Sequence, residues 1–191
     1  MNMKGTLVFL LGLINWGLQA QYVTDVRISP SGDHEACYNV ELAYQSEHSS
    51  KLASQNYRIF YDASTAKFNR ESSQLLLSDD DYLFSVVQTN HDIDASGVGQ
   101  LSFEEHLGFI NATVLLNDIR LDGQSLDQAS GWTPTVRLCF DPTEDSINPE
   151  IVLARKDLTA SYGRAFVELS VVDQFDAIQS LSIQQYYDLE R

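Results

Sequence analysis

An all-β fold, a sandwich of two antiparallel sheets with eight or nine strands, is what this sequence predicts. Three observations carry the expectation. Apolar residues recur at every second position over strand-length runs, polar turn residues separate those runs, and helical periodicity is scarce.

The runs follow in order. Tyr22 to Ile28 opens the series, and Pro30-Ser31-Gly32-Asp33 supplies the first turn. Across Ala36 to Gln45, Tyr38, Val40, Leu42 and Tyr44 alternate with Cys37, Asn39, Glu41 and Gln45, the period of a half-buried strand whose polar set faces out. Asn56 to Asp62 is rich in aromatic residues, which favour strands. Tyr82 to Thr89 and Leu107 to Asn117 are two more. Thr135 to Phe140 places Val136, Leu138 and Phe140 on one face. Ile151 to Arg155 is short and apolar, and Ala165 to Val171 alternates again. Single helical turns are expected at Ser102 to His106 and Asp157 to Tyr162. Gln179 to Arg191 reads as a C-terminal tail or edge segment.

The N-terminus carries a different signal. Lys4 precedes the apolar run Leu7 to Ile14, and small Ala20 stands before Gln21. A charged start, a short apolar stretch and a small residue at a cleavage point make a secretory signal peptide over residues 1–20. The run is shorter than the roughly 20 apolar residues that span a bilayer, and no later segment is apolar enough to do so. The expected organisation is a signal peptide at 1–20, one sandwich domain at 21–178 and the tail at 179–191. The product is then secreted, periplasmic or held at the cell surface.

With 27 acidic against 12 basic residues, the formal net charge is -15. Such a chain repels phosphate backbones and anionic lipid heads, so neither nucleic acid nor a membrane surface is an expected partner. The two cysteines, Cys37 and Cys139, are read as one disulfide, the ordinary state of an even count in an exported chain. Both lie on the polar parity of their strands, so they would bridge neighbours within one sheet. In the chain-entropy model a loop of about 100 residues gains roughly 4–5 kcal/mol from such a bond.

Several of these segments resemble cohesin modules. Asn56-Tyr57-Arg58-Ile59-Phe60-Tyr61-Asp62-Ala63-Ser64 is similar to the cohesin strand that ends in Tyr-Asp and a small turn. Leu107-Gly108-Phe109-Ile110 and Thr135-Val136-Arg137-Leu138-Cys139-Phe140 fall where later cohesin strands would. The likeness is closer to exported bacterial surface modules with a cohesin-like sandwich, through Cys37-Tyr38-Asn39-Val40, Asp94-Ala95-Ser96-Gly97-Val98-Gly99, Arg137-Leu138-Cys139-Phe140 and Ala165-Phe166-Val167-Glu168. It spans roughly Ala36 to Leu169. The resemblance implies a cohesin- or immunoglobulin-like or jelly-roll topology and a non-catalytic module that binds a protein through one sheet face. Aligning the Tyr61-Asp62 step with cohesins turns Tyr57, Ile59 and Tyr61 inward and Arg58 and Phe60 outward. Leu107 to Asn117 has its apolar parity at Ile110, Ala112, Val114 and Leu116, which leaves Phe109 outward. Arg58, Phe60 and Phe109 would then share a binding face, the composition of an interface hot spot.

Other chemistry is weaker. Asp92-Ile93-Asp94-Ala95-Ser96-Gly97 opens like a calcium loop, with Asp92, Asp94 and Ser96 as oxygen donors. The twelfth position, however, is Phe103, and Glu104 comes one residue late. A polar turn is the simpler reading, with calcium as the alternative and no other cofactor expected. His34, His48, His91 and His106 show no metal-ligand spacing. No G-x-S-x-G elbow occurs, and Asp79-Asp80-Asp81 lies in a turn, so a secreted hydrolase is a distant third reading. The runner-up is a carbohydrate-binding module, with Trp132, Tyr186 and Tyr187 as stacking rings. The leading expectation is a secreted, non-catalytic binding or adhesion module whose partner is an extracellular or periplasmic protein; the runner-up's would be a polysaccharide.

Overall fold

The structure, a computed structural model, describes residues 22–32, 36–88, 106–143, 150–153 and 167–189. The expected signal peptide, the Asp92–Ser96 loop, Phe166 and the turn at Asp157 to Tyr162 lie outside the described residues.

Alternation governs the architecture. The strands are β1 (Val23–Pro30), β2 (Cys37–Tyr44), β3 (Ser50–Asp62), β4 (Ala66–Leu75), β5 (Tyr82–Gln88), β6 (Leu107–Leu116), β7 (Ser125–Leu126), β8 (Trp132–Pro142), β9 (Ile151–Leu153), β10 (Val167–Val172), β11 (Ile178–Ser180) and β12 (Ser182–Tyr187). One sheet has the order β12-β1-β2-β8-β4, and the other the order β11-β10-β3-β6-β5, with β7 and β9 also paired to β3. The two sheets form the expected all-β sandwich, with more strands than the eight or nine anticipated. The pairings are antiparallel except that of β1 with β12, which is parallel. The C-terminal segment is therefore an edge strand.

The inward parities make the core. From the first sheet come Val26, Ile28, Tyr38, Val40, Leu42, Val136, Leu138 and Phe140; from the second come Tyr57, Ile59, Tyr61, Ile110, Ala112, Val114, Leu169 and Val171. Each is an apolar residue of an alternating run, and removing that surface from water is the main favourable term in folding. Phe140 ties the layers together. Its ring lies 5.2 Å from that of Tyr61 across the sandwich, and 6.1 and 5.8 Å from those of Tyr38 and Phe68. Tyr61 in turn lies over Gly108, its cross-strand partner, where a Cβ would approach the ring to 2.4 Å. Only glycine fits beneath it.

Cys37 and Cys139 are direct partners on β2 and β8 and form a disulfide. The bond lies on the outward side of its sheet, as the parity implied, yet both residues are buried. The irregular stretch of β4 lies against it: the Ser73 hydroxyl accepts the Cys139 N–H at 2.9 Å, and Ser72 O lies 3.3 Å from the Cys139 sulfur.

β3 and β6 are neighbours in the expected register, and Phe60 stands opposite Phe109. The expectation of exposed rings is corrected here. Phe60 is 0% and Phe109 3% exposed, although their parity points away from the core between the sheets. Part of the reason is visible. β9 pairs with β3 beside Phe60, placing Val152 opposite it, and the Arg58 guanidinium folds over the Phe109 ring at 5.1 Å. Burial of Arg58 lowers its pKa.

Asp173 closes the β10–β11 turn. Its carboxylate accepts N–H groups of Ala177 at 3.0 Å and Phe175 at 2.8 Å and the Gln179 amide at 3.0 Å. Donation from Ala177 foremost, then from Phe175 and Gln179, holds its pKa below the usual value.

Three outcomes are expected. Iodoacetamide should label neither cysteine of the oxidised folded protein, and Cys37→Ala with Cys139→Ala should lower urea stability by about 2–5 kcal/mol; labelling before reduction would refute the bond. Phe60→Ala and Phe109→Ala should each cost about 3–5 kcal/mol in the same assay, the cost of truncating a buried ring. The Asp173 contribution is present above the unfolded carboxylate pKa of about 3.9 and is lost as pH falls through the lower folded value. The melting advantage of the wild type over Asp173→Ala should accordingly be full at neutral pH and vanish in strong acid.

Candidate functional site: two outward sheet faces

The sandwich turns two sheet faces outward, and their chemistry differs. On β3, β6 and β5 the outward positions away from the buried phenylalanines are mostly small and polar. They are tied across strands: Ser54 Oγ lies 2.7 Å from Ser170 Oγ, Thr113 Oγ1 donates to Asn56 Oδ1 at 3.4 Å, and Arg58 Nε donates to Asn111 Oδ1 at 2.7 Å. Such cross-strand pairs hold a face flat and preset its polar groups.

Toward the β5 edge the face becomes apolar. Leu83 stands opposite Leu115, and Val87 lies two positions along from Ser85 on the same parity. They are 59%, 48% and 52% exposed. The inward set of β5, Tyr82, Phe84 and Val86, is packed in or against the core, so these three are surplus to the interior. Across the outward positions of β5, β6, β3 and β10 the charged side chains are Lys51, Arg58, Asp62 and Glu168, none of them on β5 or β6.

Sequence reasoning placed the right two strands together but chose the wrong rings. Phe60 and Phe109 are buried, Arg58 is partly buried over one of them, and the exposed apolar residues are Leu83, Leu115 and Val87. A signal for them exists in the sequence. The runs Tyr82 to Phe84, Val86-Val87 and Val114 to Leu116 are apolar on both parities, where one parity suffices to fill the core.

The outward face of the other sheet is charged and aromatic. Arg27 on β1 is opposite Glu41 on β2, and the two form an ion pair. The guanidinium lies 4.2 Å above the Trp132 ring, and Tyr187 of β12 meets that indole edge-on at 5.8 Å and 89°. Trp132 is two strands from Arg27, with Ala43 of β2 as its direct partner. The indole reaches over that small residue, which is only 9% exposed on an outward position. Of the three rings read as stacking residues, the structure brings Trp132 and Tyr187 together. Tyr186 is separated from them. It pairs with inward-facing Val26 and packs against the core, whereas Tyr187 pairs with Arg27.

Among the described residues no cluster of three or more His, Cys, Asp or Glu is placed to hold a metal ion. Asp92, Asp94 and Ser96 lie outside them. No helix of the described residues is long and apolar enough to cross a membrane.

No protein-family model matches this sequence, and no curated protein matches it. Solved structures of cohesin modules do match in fold. The sixth cohesin of scaffoldin B from Acetivibrio cellulolyticus, solved in complex with a Cel5 dockerin, is 10% identical with a TM-score of 0.49, over 87% of this chain and 99% of that one. A cohesin module from a family 33 glycoside hydrolase of Clostridium perfringens is 12% identical with a TM-score of 0.41, over 87% of this chain and 99% of that one. A non-cellulosomal cohesin from the archaeon Archaeoglobus fulgidus is 12% identical with a TM-score of 0.42, over 89% and 91%. The chain is similar to cohesin modules in the arrangement of its strands.

Proposed function

We propose that this chain is a non-catalytic binding module that works outside the cytoplasm and holds a protein partner against the outward face of β3, β6 and β5. The observation that carries the reading is the exposure of Leu83, Leu115 and Val87 together at one edge of this face, on strands whose outward positions hold no charge. Interface centres are depleted in charge and more apolar than the surface around them, and the patch on β5 and β6 has that composition, with preset polar groups along one side of it. A partner that covers the three side chains removes apolar surface from water, and the Asn56–Thr113 and Arg58–Asn111 pairs supply fixed hydrogen-bonding groups beside them. The Cys37–Cys139 bond supports an oxidising compartment, in agreement with the signal peptide read at residues 1–20.

The test uses protein exported by its own source. Envelope and medium fractions are passed over the immobilised wild type and over Leu83→Thr/Leu115→Lys, and the retained protein is identified and then titrated in purified form. The charged variant should bind it at least about tenfold more weakly, a loss of about 1.4 kcal/mol. Its melting should be nearly unchanged, because exposed substitutions usually shift stability within about 0.5 kcal/mol. Equal affinity of wild type and variant would remove the face from consideration.

A further inference from the structure

The aromatic corner on the other sheet lies outside the face assigned to a protein partner, and its chemistry is different. We infer that the corner formed by Tyr187 and Trp132 is a binding site for a neutral pyranose chain.

A pyranose ring presents an apolar face of C–H groups and a rim of hydroxyls. It is recognised by a fixed aromatic ring with hydrogen-bonding groups around it. Tyr187 supplies the ring. It is 45% exposed, and it is held at both ends: one side meets the Trp132 indole at 89°, and its hydroxyl donates to Gln185 Oε1. Trp132 forms a wall at right angles to that ring and is itself held by Arg27, which is fixed by Glu41. A platform ordered before the ligand arrives loses little conformational freedom on binding.

Hydrogen-bonding capacity sits beside the corner. Asp25 shares the outward parity of β1 with Arg27, and its Oδ1 is buried with no hydrogen-bond partner, while Oδ2 accepts the Gln45 amide at 3.3 Å. Oδ2, which takes the Gln45 amide at the exposed rim, can accept a second hydrogen bond from a ligand hydroxyl. Gln185 and Gln45 add amide groups at the exposed rim.

Charge selects the sugar class. Arg27 is already paired with Glu41, Asp25 adds a negative charge, and the chain carries a formal net charge of -15. Uronates and sulfated sugars are repelled by such a field, and neutral hexoses are not.

The alternative use of the same contacts is to pin edge strand β12, and affinity electrophoresis separates the two. The oxidised full-length exported protein is run in native gels containing hydroxyethylcellulose, xyloglucan, galactomannan or polygalacturonate. Retardation by at least one of the three neutral polysaccharides and by none of the acidic one is expected. Tyr187→Ala should weaken it about tenfold, and Tyr187→Phe, which keeps the ring, should retain it. Asp25→Asn leaves every ring in place and should weaken retardation with melting unchanged, a result that a merely structural corner would not give. Lack of retardation by all three neutral polysaccharides, retardation by polygalacturonate alone, or wild-type retardation of Tyr187→Ala would each overturn the assignment.

Discussion

The fold depends on β3. Its thirteen residues pair with β6 along one edge and with β10 and β9 along the other, so its backbone groups are satisfied on both sides. Tyr57, Ile59 and Tyr61 enter the space between the sheets, and Phe60 is buried on the opposite side. A slip by one residue would carry Tyr57, Ile59 and Tyr61 out of the core and put Asn56 and Arg58 into it, so the register is fixed. Tyr61 fixes the position further. It rests on Gly108 within its own sheet, reaches Phe140 in the other and accepts a hydrogen bond from Gln88 at 2.8 Å. Phe140 follows the disulfide cysteine, so one end of the sandwich is fixed by an aromatic contact between layers and a covalent bond within one layer.

From that fixed centre the sheets diverge in chemistry. The outward side of β5 and β6 holds no charged side chain and ends in exposed aliphatic side chains. The outward side of β1, β2 and β8 carries an ion pair and stacked rings. Sheet faces have no reason to differ so long as each is only solvated. The aliphatic face suits a partner whose surface is removed from water over an area. The aromatic corner suits a small ring met edge and face. The two faces lie on opposite layers of the sandwich.

Much of the fold is legible in the sequence where one parity is apolar and the other polar. β2, β6, β8 and β10 were readable for that reason, and so was the placement of both cysteines on the polar side of adjacent strands. β4 was not, and β12 was readable only as a tail or edge segment. Lys67, Asn69, Arg70 and Glu71 interrupt any apolar alternation in β4, and Ser182, Gln184 and Gln185 do so in β12. Both are edge strands of their sheet, where half the backbone pairing and little of the side-chain surface is needed. Tyr186 and Tyr187 are adjacent in sequence, and ordinary strand alternation sends them to opposite faces.

The sequence by itself determined which residues face the core, because the period of two is a local property of an extended chain. That Phe60 and Phe109 share a side needs the pairing of β3 with β6, which the cohesin resemblance implies and parity alone does not. Exposure is not local. Whether an outward ring meets water depends on what another part of the chain lays over it, and β9 beside Phe60 and Arg58 over Phe109 come from pairings that parity cannot show. The corner of Trp132, Arg27 and Tyr187 was decided in the same way. Three strands distant in the chain meet there, and only the order β12-β1-β2-β8 and the small side chain of Ala43 bring their side chains within reach.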